Sequence, residues 1–313
     1  MIKLIAFLII FFSLLFVFLG VLYFFFSFTF IKHDVGDTDN LDEPVNRPLQ
    51  DYRETIQKGI DYINFSKCKW VSIQSFDGLT LFARYFDIKS DKTVILMHGY
   101  RSSAARDFSC AVEMYEKLGF NVLLCDQRAH GRSEGRIISF GIKESRDTVS
   151  WAKYISIKYN PNKILLGGMS MGATTVILSL AHGLPENVKA VIADCGFTSA
   201  IDIIIKVGKQ AFKFNPRLFL PFLNIYCKLF GHFSLYGKST VDVIKKTNIP
   251  VLLIHGKDDG FVPYEMSEHV FEVANKNCDI VIVDKANHGL SYLVDKPLVE
   301  KKIKQFLKNN NLL

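Results

Sequence analysis

The sequence predicts an α/β fold in which a mostly parallel sheet carries helices on both faces. Six short apolar runs lack the polar alternation of half-exposed strands, which indicates strands buried on both faces. Segments with apolar residues at helical spacing separate most of these runs, an order typical of a parallel sheet covered by helices. The predicted strands are Thr93–Met97, Val122–Cys125, Ile164–Leu166, Val188–Ala193, Val251–Ile254 and Ile280–Val283. The predicted helices are Ala104–Lys117, Ile142–Lys158, Met171–Ala181, Tyr264–Asn275 and Pro297–Lys308.

A helix and a hairpin are predicted ahead of this alternating region. Asp51–Asn64 has apolar residues at helical spacing. Trp70–Ser75 and Leu79–Phe86 alternate around Asp77-Gly78, and Asp-Gly between alternating runs is a strong hairpin signal. The sheet is therefore expected to begin with an antiparallel N-terminal hairpin.

The composition excludes several classes of protein. The chain has 313 residues, 49% of them hydrophobic and 22% charged, which excludes a disordered protein and a disulfide scaffold. The net charge of +7 comes with no Arg/Lys-rich run, so no nucleic-acid partner is expected. No HExxH, EF-hand or GxGxxG pattern occurs, so no metal or other cofactor is expected.

The N-terminus predicts a membrane anchor. Leu4–Ile31 contains no charged residue and would form a helix about 42 Å long, against about 30 Å for the hydrocarbon core of a bilayer. We interpret residues 1–31 as an uncleaved single-pass anchor, with a cleaved signal peptide as the alternative. Residues 32–50 are predicted to form an acidic linker and 51–313 the folded domain. The charges at the two ends favour an extracytoplasmic domain.

One long interval breaks the alternation of strands and helices. Residues 197–248 show helical periodicity without a strand, and they carry eight Lys or Arg against two acidic residues, together with many Phe and Tyr. Insertions of this size in an α/β sheet are commonly lids over a site. We therefore predict a helical lid, with a helical excursion that serves only stability as the alternative.

A nucleophile motif follows one predicted strand. Gly168-x-Ser170-x-Gly172 lies between the strand Ile164–Leu166 and the next helix. A sharp strand-to-helix turn exposes the serine oxygen, and the flanking glycines remove side chains that would clash there. Ser170 is therefore a candidate nucleophile.

Two further strands end in residues that could complete a catalytic triad. Asp259 follows Val251–Ile254 and His288 follows Ile280–Val283, and the carboxyl ends of parallel strands share one edge of a sheet. The order Ser, Asp, His is that of triads in this kind of fold. Asp258 is the main rival for the acid and Asp194 a second. The sequence positions of four others, Asp126, His98, His130 and His255, favour the bracing of loops over proton transfer.

With these motifs the chain from about Asp51 onward resembles the α/β-hydrolase superfamily, and within it the membrane-anchored bacterial serine hydrolases related to esterases and prolyl-oligopeptidases. The matching motifs are Met97-His98-Gly99-Tyr100, Asp126–Ser133, Gly168–Gly172, Asp194–Ser199, His255–Pro263 and Asn287-His288-Gly289. The resemblance implies the α/β-hydrolase fold, and it implies that the main-chain amides of Tyr100 and Met171 form the oxyanion hole.

The resemblance also implies an acyl-enzyme mechanism. Carboxylic-ester hydrolysis is the favoured reaction, on a small-molecule ester or acyl substrate of lipid-like or peptide character. Peptidase, thioesterase and acyltransferase activity remain alternatives because they use the same triad. A binding protein on a catalytically silent hydrolase fold is the alternative from another class.

Overall fold

The protein is built on one eight-stranded sheet. The computed structural model describes residues 1–32, 50–213 and 215–313. The strands follow one another across the sheet in the order β1-β2-β4-β3-β5-β6-β7-β8. Their bounds are β1 Lys69–Gln74, β2 Thr80–Phe86, β3 Lys92–Met97, β4 Asn121–Cys125, β5 Lys163–Met169, β6 Val188–Asp194, β7 Val251–Gly256 and β8 Cys278–Val283.

The pairing of the strands confirms the predicted sheet. β1 pairs with β2 and β2 with β4 in antiparallel register, whereas every pair from β4 to β8 is parallel. The central strands are buried along almost their whole length, which explains why their sequences do not alternate. Because β3, β5, β7 and β8 run in one direction, the loops that follow them meet at one edge of the sheet.

Helices cover both faces of this sheet. Helices are present over the segments predicted at Asp51–Asn64, Ile142–Lys158, Met171–Ala181, Tyr264–Asn275 and Pro297–Lys308, with bounds that differ by a few residues. Their bounds are α1 Ile2–Phe30, α2 Arg53–Phe65, α3 Ala104–Asp107, α4 Ala111–Lys117, α5 Glu144–Lys158, α6 Met171–Ser179, α7 Ala200–Phe212, α8 Leu220–Tyr226, α9 Thr240–Ile244, α10 Glu265–Glu272, α11 Ser291–Val294 and α12 Lys296–Asn309.

The single helix predicted over Ala104–Lys117 was wrong, because two short helices occupy this segment. α3 ends at Asp107 and α4 begins at Ala111. The interruption at Ser109 coincides with a close contact, since a Cβ on Gly59 of α2 would overlap the main chain of Ser109. Helix α2 thus packs directly on this break, a tertiary contact that helical periodicity does not reveal.

Two apolar cores fill the space between the sheet and the helices. One contains Leu96 and Phe108 and lies under α2, α3, α4 and α12. The other contains Met97 and Trp151 and lies under α5 and α6. Full burial of one such side chain contributes about 1.5–3 kcal/mol to folding. The sheet is thereby held firmly from both sides, which fixes the positions of the loops at its edge.

Residues 197–248 form a helical segment on the carboxyl edge of the sheet, which we call the cap. It contains α7, a 3₁₀ turn at Pro216–Phe219, α8, a π-helical turn at Cys227–Gly231 and α9. Among its described residues there is no strand. A third apolar cluster joins the cap to the sheet edge and includes Phe26 and Phe30 of α1.

Helix α1 is long and apolar enough to cross a membrane. The sequence predicts an anchor separated from the domain by a linker, whereas the structure packs the last turns of α1 against the cap. Leu22, Phe26 and Phe30 are buried there. The linker predicted over 32–50 lies, apart from its two end residues, outside the described part of the chain.

Candidate active site

Ser170 lies at a strained turn between β5 and α6. Its φ of 55° and ψ of −117° are unusual for a residue with a side chain. A Cβ on Gly168 would overlap the main chain of Gly172, and one on Gly172 would overlap the carbonyl of Met97. The two glycines are therefore what allows this turn to approach β3 so closely, as the sequence motif predicts.

His288 lies within hydrogen-bonding distance of both Ser170 and Asp259. Its Nε2 is 2.9 Å from Ser170 Oγ, and its Nδ1 is 2.6 Å from Asp259 Oδ2. An ionised carboxylate only accepts, so Nδ1 carries the proton and Nε2 is left to accept from the serine hydroxyl. This is the tautomer that a general base for Ser170 requires.

The carboxylate of Asp259 stays ionised although its side chain is completely buried. Burial raises the pKa of this group, but hydrogen bonds from His255 and His288 outweigh burial and lower the pKa to about 2. The other oxygen accepts from the main-chain N–H groups of Phe261 and Val262 at 2.9 and 2.8 Å. The loop after β7 is thus shaped around this carboxylate.

The two rival acids are placed elsewhere. Asp258 is exposed to solvent. Asp194 accepts from the hydroxyl of Ser291 at 3.3 Å, and burial raises the pKa of its carboxyl to about 6. Asp259 is the acid in hydrogen-bonding contact with His288.

The loop after β3 brings the candidate oxyanion residue Tyr100 beside Ser170. A Cβ on Gly99 would lie 3.3 Å from the Cβ of Ser170, so this main chain runs close to the nucleophile. Met171 is the first residue of α6, where helix geometry leaves the N–H without an intrahelical acceptor. Within the described residues, the main-chain N–H groups of Tyr100 and Met171 do not donate a hydrogen bond to another protein group.

Asp107 holds the loop that contains Tyr100, a role that the sequence did not reveal. One oxygen of its carboxylate accepts from the N–H of Gly99 at 2.7 Å, and the other accepts from the hydroxyl of Ser102. The Asp107 side chain thus links helix α3 to Gly99, eight positions earlier in the chain. No local motif marks such a closure, although an aspartate in the first turn of the predicted helix Ala104–Lys117 could have suggested a contact back to the preceding loop.

Two buried histidines brace the neighbouring loops. His98 Nε2 accepts from the N–H of Gln127 at 3.1 Å, and His130 Nε2 accepts from the N–H of Arg101 at 3.0 Å. Burial lowers the pKa of His98 to about 4 and that of His130 to about 3, so both rings are neutral near pH 7. Their hydrogen bonds hold the main chain of the loops at Gln127 and Arg101 in place. This is the loop-bracing role that the sequence positions of the two histidines favour.

The donor atoms of Cys195, Asp259 and His288 lie within 4.8 Å of one another, but the set does not fit a metal site. Burial raises the pKa of the Cys195 thiol well above its ordinary value, so it stays protonated, whereas metals bind the thiolate. The nitrogen and oxygen atoms of the other two residues are engaged with each other and with Ser170.

Two cavities reach Ser170. One has a volume of about 740 Å³, and its lining combines apolar residues with polar and charged ones that include Ser102, Arg106, Asp107, Asp194, Asn287 and Tyr292. The other, of about 300 Å³, is lined almost entirely by apolar side chains from the cap and from α1. Tyr100 and Phe261 line both. A substrate carbonyl at Ser170 could therefore extend one substituent into each cavity.

The fold and this site define an α/β hydrolase, and the chain belongs to the α/β-hydrolase superfamily. Residues 88–224 match the hydrolase family described as serine aminopeptidase S33, and residues 232–312 match the family described as TAP-like protein. The family and the fold make the protein a hydrolase.

Particular relatives and structures are similar over most of the folded domain. The esterase Pf2001 of Pyrococcus furiosus is 27% identical with a TM-score of 0.65, and the match covers 78% of this chain and 91% of the esterase. The uncharacterized protein YqkD of Bacillus subtilis is 28% identical over 220 residues, which are 70% of this chain and 72% of YqkD. The lysophosphatidylserine lipase ABHD12 of Danio rerio is 25% identical over 59% of this chain and 48% of its own length.

Proposed function

We propose that this protein is a serine hydrolase of carboxylic esters that works through an acyl-enzyme intermediate. Ser170 is the nucleophile, His288 the general base and acid, and Asp259 the residue that orients the imidazole. The observation that carries the proposal is the continuous pair of contacts from Ser170 Oγ to His288 Nε2 and from His288 Nδ1 to Asp259 Oδ2.

The proposed reaction has two halves. Ser170 Oγ attacks the carbonyl carbon of the ester while its proton passes to His288 Nε2. The negative oxygen of the tetrahedral intermediate receives hydrogen bonds from the main-chain N–H groups of Tyr100 and Met171. The intermediate then collapses, and the leaving alcohol takes the proton from His288. In the second half, water gives a proton to His288 Nε2 as its oxygen attacks the acyl-serine carbonyl. The bond to Ser170 Oγ then breaks, Ser170 Oγ takes the proton back from His288, and the carboxylic acid leaves.

The cavities support an ester rather than an aminopeptidase substrate. An aminopeptidase binds a substrate ammonium, which calls for a free carboxylate near the nucleophile. The acids that line the two cavities in the described part of the chain are Asp107 and Asp194. Asp107 is engaged with Gly99 and Ser102, and Asp194 accepts from the hydroxyl of Ser291. The match of residues 88–224 to the S33 aminopeptidases keeps a peptidase as the second candidate function.

Active-site labelling tests the serine mechanism. The full chain in detergent micelles is treated with a fluorophosphonate probe, beside the variant Ser170→Ala. We expect labelling of the wild type and none of the variant. A wild type that is folded and unlabelled would instead support the non-catalytic binding protein. Turnover of p-nitrophenyl esters against aminoacyl-nitroanilides then separates esterase from peptidase activity.

We also propose that α1 anchors the protein in a membrane. Its side chains from Ile2 to Val21 are exposed apart from Phe18, which is half-buried, and this stretch is apolar except for Lys3 and Ser13. Its last turns are packed into the domain, which supports retention of the helix over cleavage as a signal peptide. Intact-mass measurement of protein from the membrane fraction tests this, because a cleaved protein would lack the mass of α1.

A further inference from the structure

The smaller cavity at Ser170 lies between the cap and the end of helix α1. Leu22, Phe25, Phe28 and Thr29 of α1 form one wall of it. Ile203, Leu220 and Leu223 of the cap contribute to the rest. Its lining is apolar except for Thr29, Arg101, Ser170 and the hydroxyl of Tyr100. A cavity of about 300 Å³ is at the lower end of the range, roughly 300–1,000 Å³, that holds small ligands.

Hydrogen bonds fix the α1 wall in place. The hydroxyl of Tyr100 donates to the carbonyl of Thr29 at 2.8 Å, and the hydroxyl of Tyr226 donates to the carbonyl of Leu19 at 2.9 Å. Beyond the helix, the N–H of Lys32 donates to the carbonyl of Arg136 at 2.7 Å. Helix α1 is therefore tied to the Tyr100 loop, to the cap and to the sheet domain. Its contribution to the cavity is part of the fold.

The length of the exposed part of α1 determines where this cavity lies relative to a bilayer that α1 would cross. The exposed stretch 2–21 is about 30 Å long at about 1.5 Å per residue, which is about the hydrocarbon thickness of a bilayer. The first α1 residue that lines the cavity is Leu22. The cavity therefore begins where the hydrocarbon region ends.

The cap has several large apolar side chains that are exposed on its surface. Leu218, Ile225 and Leu229 are 81%, 51% and 63% exposed. Phe222 of the cap contacts Phe18 of α1 edge to face, with ring centroids 5.4 Å apart. Because Phe18 lies within the stretch that would cross the membrane, this side of the cap rests on the bilayer when α1 is inserted.

We propose that the cavity holds the acyl chain of a membrane-resident ester with a single acyl chain, and that α1 is a wall of the acyl site as well as an anchor. The chain passes from the bilayer along Leu22 and Phe25 to Ser170. The larger cavity, with Arg106 and Asn287 in its lining, takes the polar alcohol portion. This assignment of the substrate class rests on the proposed serine hydrolase function.

Two substitutions on α1 test the wall directly. Leu22→Trp enlarges a wall side chain and so narrows the cavity, whereas Phe25→Ala shortens one and so enlarges the cavity. Val21→Trp and Phe16→Ala are the matched controls, because Val21 and Phe16 are exposed on the same helix, 46% and 78%, and do not line the cavity. The full chain is placed in phospholipid nanodiscs, and kcat/KM is measured for p-nitrophenyl acetate and p-nitrophenyl dodecanoate.

We expect Leu22→Trp to lower kcat/KM for the dodecanoate by about 10-fold or more, since a change of one methylene in an apolar pocket alters specificity by roughly 10- to 200-fold. Phe25→Ala is expected to shift the preferred ester toward longer chains. The controls Val21→Trp and Phe16→Ala are expected to hydrolyse both esters at nearly the wild-type rate. In Leu22→Trp and Phe25→Ala the acetate, whose acyl group is too short to fill the cavity, is expected to be affected much less than the dodecanoate, and circular dichroism checks that all four variants are folded.

Two results would overturn the inference without touching the proposed function. One is an unchanged ratio of dodecanoate to acetate activity in Leu22→Trp and Phe25→Ala, with acetate hydrolysis still abolished by Ser170→Ala. The other result concerns whether the ester substrate reaches the site from the bilayer or from water. Diluting the dodecanoate with inert nanodisc lipid at constant bulk concentration is expected to lower the rate, and an unaltered rate would mean that the substrate arrives from water. If the wild type hydrolyses neither ester, or if Ser170→Ala does not lower its turnover, the proposed function itself is rejected.

Discussion

The hydroxyl of Tyr100 donates a hydrogen bond to the carbonyl of Thr29, at 2.8 Å, and so joins the loop beside Ser170 to the end of helix α1. The guanidinium of Arg101 also contacts α1 and donates a hydrogen bond to the carbonyl of Phe28 at 2.5 Å. These two consecutive residues connect the candidate oxyanion loop with the apolar N-terminal helix. A segment that sequence analysis treats as an anchor is thus structurally part of the site.

Removing this hydroxyl is expected to loosen α1 while leaving the chemistry nearly intact. Tyr100→Phe loses a hydrogen bond of about 0.5–1.5 kcal/mol but keeps the main-chain N–H proposed for the oxyanion. Amide hydrogen exchange over residues 22–32 should become faster, with acetate-ester turnover close to that of the wild type. Tyr236→Phe, at an exposed cap position, is the control. Unchanged exchange in Tyr100→Phe would contradict the docking role.

The two adjacent aspartates after β7 are expected to behave very differently. Asp259→Asn removes the charge that fixes the His288 tautomer, and the equivalent loss in serine proteases lowers kcat by about 10⁴-fold. Asp258→Asn changes an exposed side chain and should leave kcat close to the wild-type value. Steady-state hydrolysis of p-nitrophenyl acetate measures both. A larger loss in Asp258→Asn would transfer the acid role to that residue.

Asp194 is expected to make the protein less stable as pH rises through the weakly acidic range. Burial raises the pKa of its carboxyl to about 6, against about 3.9 in an unfolded chain. Between these values the folded state holds more protons than the unfolded state, so the free energy of unfolding falls with increasing pH. Below about pH 4 both states are protonated and the penalty is absent.

The variant Asp194→Asn cannot ionise and serves to measure this effect. Its melting temperature relative to the wild type should rise between pH 4 and pH 7, because only the wild type must bury a developing charge. The neighbouring His255, His288 and Asp259 are present in both proteins, so their titration largely cancels in the difference. A constant difference in melting temperature across this range would show that Asp194 does not titrate there.

A buried ion pair is expected to contribute strongly to stability. The guanidinium of Arg128 donates to the carboxylate of Asp147 at 2.6 Å, and both side chains are almost fully buried. Arg128→Met leaves the Asp147 charge without its partner, which costs about 3–5 kcal/mol. The double variant Arg128→Met/Asp147→Leu removes both charges and should be more stable than the single variant.

Denaturant unfolding of the full chain in micelles measures this, followed by the fluorescence of the buried Trp151. Equal losses in the single and double variants would mean that the cost comes from packing rather than from the unpaired charge. Asp77 also contacts Arg128, and it keeps Lys143 as a partner at 2.7 Å in both variants.

The sheet and the candidate site residues can largely be predicted from the amino-acid sequence. Burial on both faces makes the parallel strands read as unbroken apolar runs, and the glycines at 168 and 172 are required by main-chain contacts that no side chain could fit. Ser170, Asp259 and His288 follow strands that end at one edge, so their convergence can be inferred from strand order alone. These features are local, or depend only on topology.

Other features of the protein arise from contacts between residues far apart in the chain. The division of Ala104–Lys117 into two helices falls where Gly59 packs against Ser109, and the Tyr100 loop is held by the side chain of Asp107. The docking of α1 depends on hydrogen bonds between residues about 70 and 207 positions apart. An apolar helix has the same sequence signature whether lipid or protein covers its last turns, because both surroundings favour the same side chains.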